Sequence, residues 1–74
     1  MQIVPNPAKN GVSINGINLE YGLNFELFSI EGKRIMKTKI YKPYVPLPQM
    51  AEGVYLIKLG GHAQIDISKI IIKH

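Results

Sequence analysis

Along this chain apolar and polar residues alternate with a period of two more than with a period near 3.6, the pattern of strands that bury one face. The clearest stretch is LNFELFSIEGKRIMKTKIY, where Leu23, Phe25 and Leu27 share a face and Glu31-Gly32 separates two arms; it predicts a hairpin. GVYLIKL places Tyr55, Ile57 and Leu59 on one side and Leu56 and Lys58 on the other, and Gly60-Gly61 turns it back. AQIDISKIIIKH then reads as its partner, with Ile65 and Ile67 on one face and Ile70 and Ile72 on the other unless a bulge shifts the register.

Shorter strands are predicted in MQIV, ended by Pro5-Asn6-Pro7, and in GVSIN, bracketed by the turn-prone pairs Asn10-Gly11 and Asn15-Gly16. The prolines of KPYVPLPQMAEG predict an extended edge segment around residues 44–47. Gly and Pro recur roughly every eight to twelve residues, the spacing of turn-linked strands in a sandwich or barrel. The expectation is a single all-β domain over residues 1–74, with no linker, repeat or low-complexity tract. A chain end usually frays, yet this one closes on SKIIIKH. If that segment zips against GVYLIKL, its isoleucines are core.

Length and composition narrow this further. With 74 residues and 46% hydrophobic content there is material for one small core and not for two. The absence of cysteine removes disulfides and thiolate metal sites, so apolar packing and sheet hydrogen bonds must supply the stability. A net charge of +4 suits either an anionic partner or ordinary solubility. No stretch approaches the ~20 apolar residues of a spanning helix, and MQIVPNPAKNG lacks the basic and apolar regions of a secretory signal. Either the chain stays in the cytosol or Met1 opens a piece cut from the end of a longer exported protein.

Chemistry is hard to find. His62 beside Gly61 and the terminal His74 are expected to face solvent, with no spacing for a metal pair. Ser13, Ser29, Ser68 and Asp66 offer only a nominal triad without a nucleophile elbow, so no enzyme and no cofactor are expected. Phe28, Tyr41 and Tyr44 beside basic strands sketch a base-stacking surface, but lysines guarding strand edges account for the same residues, and no nucleic-acid partner is expected. Gly11, Gly16 and Gly22 precede strands rather than a helix, which excludes a phosphate loop. Tyr55 is expected to be a core ring with its hydroxyl on a backbone partner. Phe28 and Leu56, if outward, would form a docking patch.

Four pieces in order, PNPA after a short strand, ELFSIEGKRI, LPQMAEGVYLIKL and the closing KIIIK, resemble the C-terminal sorting domain of the type IX (Por) secretion system over essentially the whole chain. The resemblance implies a small immunoglobulin-like antiparallel β-sandwich of about seven strands. It also implies that the chain is an address: the terminal domain of a larger cargo that crosses the inner membrane by a separate N-terminal signal. The outer-membrane type IX translocon then recognises the domain, and a sortase-like protease typically removes it. Localisation would be the periplasm in transit, then the cell surface or the medium.

On this resemblance Pro5, Asn6 and Pro7 match the opening motif, Gly32 and Lys33 the Gly-Lys/Arg turn, and Gly53 and Tyr55 the Gly-x-Tyr strand. Lys69, Ile70, Ile71, Ile72 and Lys73 match the basic-apolar-basic terminus that the translocon would read. Family members often carry Tyr-Asp or Tyr-Asn where this chain has Phe28-Ser29. A recognition strand must be reachable while its isoleucines are best buried, so its edge or its lysine face would stay readable, with Lys69 and Lys73 the readable charges. The competing expectation is a cell-surface binding module of the same architecture for carbohydrate or protein, since fold alone does not assign function.

Overall fold

A computed structural model describes residues 2–5, 7–61 and 65–74; Met1, Asn6 and the His62-to-Gln64 segment lie outside the described residues. Seven strands follow in order: β1 (Gln2–Val4), β2 (Gly11–Asn15), β3 (Leu23–Ser29), β4 (Arg34–Ile40), β5 (Tyr44–Pro46), β6 (Gly53–Gly60) and β7 (Ile65–Ile72). They form two antiparallel sheets, β1-β2-β5 and β4-β3-β6-β7, and among the described residues there is no helix. The chain crosses between sheets at β2–β3, β4–β5 and β5–β6, which gives a sandwich, one of the two architectures the turn spacing predicts, in the immunoglobulin-like form the resemblance implies.

The period-two pattern sets the core. Val12, Ile14 and Val45 from the smaller sheet meet Leu23, Phe25, Leu27, Ile57, Leu59, Ile70 and Ile72 from the larger, all buried. Each fully buried side chain of this kind contributes about 1.5–3 kcal/mol relative to exposure. Between β6 and β7 the register pairs Tyr55 with Ile70 and Ile57 with Ser68, so no bulge disturbs the inward and outward sets of β7.

The hairpin divides where the sequence indicates. Gly32 has φ of +94° and open space around it, the left-handed position that follows a type I turn in a bulged hairpin. Its N–H donates to the Ser29 carbonyl at 2.9 Å, and the Lys33 N–H donates to Ser29 Oγ at 3.1 Å. A register shift follows, so that Leu27 faces Met36 and Phe28 faces Arg34, with Ile35 the extra residue.

Two expectations are corrected. Gly11 does not form a turn with Asn10; it opens β2 opposite Pro46, and a Cβ there would collide with the Tyr44 hydroxyl and lie 2.9 Å from the Val45 carbonyl oxygen. Close approach of the neighbouring strand, rather than positive φ, requires glycine at this position. Of the terminal isoleucines, Ile70 and Ile72 are core at 1% exposure each, but Ile71 is 40% exposed because alternation turns it outward. His62 lies outside the described residues, as does part of the turn predicted after Gly60.

Candidate recognition strand

β7 is a sheet edge with two unlike faces. Ile70 and Ile72 point into the core, whereas Lys69 and Ile71 point outward and Lys73 continues the exposed end. The strand is held along one side by β6, with Gly53 opposite Ile72 and Leu56 opposite Lys69. On its other side Ala8, at 1% exposure, makes a parallel bridge with Ile72. The Ala8 N–H donates to the Ile71 carbonyl at 2.7 Å and the Lys73 N–H donates to the Ala8 carbonyl at 2.9 Å. Beyond the strand, the His74 N–H donates to Glu52 Oε1 at 3.0 Å, and a His74 ring nitrogen lies 2.8 Å from the Met50 carbonyl oxygen.

The motif positions converge on one end of the larger sheet. Tyr55 lies between Ser29 and Ile70 across three strands, and Gly53 faces Ile72. The Gly32-Lys33 turn closes the hairpin beside them, since its neighbour Glu31 lines a shallow open depression of about 210 Å³ together with Glu52, Gly53 and Tyr55. That volume falls below the roughly 300 Å³ of ordinary ligand pockets. Pro5 and Pro7 are exposed in the segment leading to the Ala8 bridge; Asn6 lies outside the described residues. Tyr55 is half-buried against the core, and its hydroxyl donates to the Ala51 carbonyl at 2.7 Å, the backbone partner expected for it.

Other candidate groups are kept apart. Ser13 lies on β2 and Ser29 ends β3, while Asp66 and Ser68 sit two residues apart on β7. Phe28 and Tyr44 belong to different sheets, and Tyr41 is outside both, 5.9 Å below the Lys39 ammonium, so the three rings share no stacking platform. Among the described residues no cluster of three or more His, Cys, Asp or Glu side chains could hold a metal. Phe28 and Leu56 do lie outward, as direct cross-strand partners and both half-buried.

Sequence reasoning missed Ala8 and Ala51, because a small residue carries no periodic signal and each acts here through its backbone. PNPA contains Ala8, but nothing in its side chain announces a bridge to a strand more than sixty residues away.

A search of curated proteins finds no match. The family model for the secretion system C-terminal sorting domain matches residues 2–73, nearly the full length over which the motifs and strands are laid out. Domains of this family are sorting signals rather than enzymes and direct a chain toward the cell surface or the medium. The chain therefore belongs to the type IX secretion system C-terminal sorting domain family.

Proposed function

We propose that residues 1–74 are the terminal domain of a larger exported protein, delivered to the outer-membrane type IX translocon by β7 and then released by a sortase-like protease. The cargo passes through the periplasm and ends on the cell surface or in the medium. Lys69, Ile71 and Lys73 make the contact with the translocon, while Ile70 and Ile72 hold the strand in place. The observation that carries this reading is the split of one short run into anchored and exposed residues: Ile70 and Ile72 at 1% exposure, Ile71 at 40%. A signal that must survive folding needs both sets.

Folding and recognition are separable by experiment. Lys69→Gln with Lys73→Gln, placed in the full-length cargo, keeps strand length and the Lys73 backbone bond to Ala8 while removing two exposed charges, which are worth little to stability. The variant domain should melt within about 2 °C of the parent, and the cargo should accumulate in the periplasm. Normal surface delivery of this folded variant would place the signal outside these lysines.

A further inference from the structure

The two sheets have four edge strands: β1, β5, β4 and β7. Three are protected. β1 and β5 are three residues each and are flanked or ended by prolines, which donate nothing to a ladder. β4 carries Arg34, Lys37 and Lys39 on its outward face. β7 is eight residues long, and the outward positions of its first half are isoleucines: Ile65 is 64% and Ile67 is 66% exposed.

The backbone of this edge is open as well. The Ile71 carbonyl and the Lys73 N–H turn away from β6 to meet Ala8. Groups two residues apart in a strand point the same way, so those of Ile65, Ile67 and Lys69 face that side too. Among the described residues no strand covers them there, because the Ala8 bridge reaches only Ile72. A row of donors and acceptors without a partner strand among the described residues, beside exposed isoleucines, is a template for one more strand.

Charge narrows the occupant. The outer face of the larger sheet holds Arg34, Lys37, Lys39, Lys58 and Lys69 against one carboxylate, Glu26, which pairs with Arg34 at 3.3 Å. Five positive charges and one negative equal the whole net charge of +4, and the remaining four lysines balance the remaining four acids. Lys58 lies beside Ile67, and Lys69 follows it along the edge. Such a face disfavours a second copy of this chain, whose own edge would bring the same charge.

We infer that residues 65–69 of β7 accept an extended acidic segment of a partner protein as an added strand. On the outward face of the added strand, apolar residues lie opposite Ile65 and Ile67 and a carboxylate lies opposite Lys69, with Lys58 one strand further in adding to the positive field. Backbone pairing supplies the binding and the lysines choose an acidic strand over a basic one. This deepens, and rests on, the reading of β7 as the recognised strand.

The test uses the 74-residue chain and the synthetic seven-residue peptide Thr-Glu-Thr-Val-Thr-Val-Thr, which in antiparallel pairing sets its glutamate opposite Lys69 and its valines opposite Ile67 and Ile65. Backbone amide shifts should move along residues 65–69 and the facing part of β6. Replacing the glutamate by lysine should weaken binding at least about tenfold, as should N-methylation of the peptide amides that would face β7. Ile67→Pro removes only an edge-facing N–H, so it should fold like the parent and lose the peptide to a similar extent. Should that variant fail to fold, the N-methylated peptide on the unaltered chain decides the matter alone. Equal binding of the lysine or N-methylated peptide overturns the inference, as does dimerisation through β7 in sedimentation, or binding to phosphatidylglycerol vesicles with none to the peptide. Peptide binding together with normal export of the glutamine variant would leave edge pairing standing and remove the sorting role of the lysines. Blocked export without peptide binding would do the reverse.

Discussion

The Tyr55 hydroxyl donates to the carbonyl oxygen of Ala51, four residues earlier in the chain, at 2.7 Å. In immunoglobulin-like sandwiches a tyrosine near the start of the sixth strand fastens the preceding connection in this way. Tyr55 is the third residue of β6 and Ala51 belongs to the β5–β6 connection, so the Gly-x-Tyr motif is first a structural device. Tyr55→Phe should cost about 1 kcal/mol, the net worth of one hydrogen bond. Tyr55→Ala should cost about 3 kcal/mol, the low end for aromatic truncation because the ring is half-buried. Urea denaturation of both variants checks this, and an unchanged midpoint for the phenylalanine variant would show that the bond contributes nothing.

The alternation in β7 predicts unequal neighbours. Ile72→Ala should destabilise by about 2–5 kcal/mol, since it opens a cavity where Ile72 is 1% exposed. Ile71→Ala should cost under about 1 kcal/mol, as outward substitutions do. Similar losses at both positions would mean that the register of the last strand differs from the one described.

At Gly32 the cost of a side chain is conformational alone, because nothing lies within 4 Å of an added Cβ. Gly32→Ala should therefore lose about 1–2 kcal/mol, and Gly32→Asn clearly less, since asparagine tolerates the left-handed region. Thermal melts would resolve the pair, each kcal/mol shifting the midpoint by about 4–8 °C in a domain of this size. Equal melting of the two variants would argue against the bulged turn.

Legibility in the sequence followed side-chain periodicity. Strands β2, β3 and β6 and the inward set Leu23, Phe25, Leu27, Ile57 and Leu59 were readable because alternating large and polar residues report directly which face is buried. Gly11 was misread because an Asn-Gly pair signals a turn from local conformation, whereas the approach of Tyr44 is a tertiary fact. Ile71 was harder to place than its neighbours because three identical isoleucines mask the period that separates them. The free edge of β7 was only half visible: exposure of Ile65 and Ile67 follows from alternation, but which strands lie at sheet edges is decided by topology.

The Ala8 bridge ties the beginning of the domain to its last strand. Synthesis runs from the N-terminus, so a ribosome that stops before β7 releases a chain in which Ala8 has no strand to meet and the core has lost Ile70 and Ile72. Contacts of such sequence separation form late and reward the chain only when both partners exist. The fold thus works as a test of completeness. A truncated product cannot assemble the β7 edge, so on the proposal that β7 is the recognised strand it would be refused export without any separate proofreading.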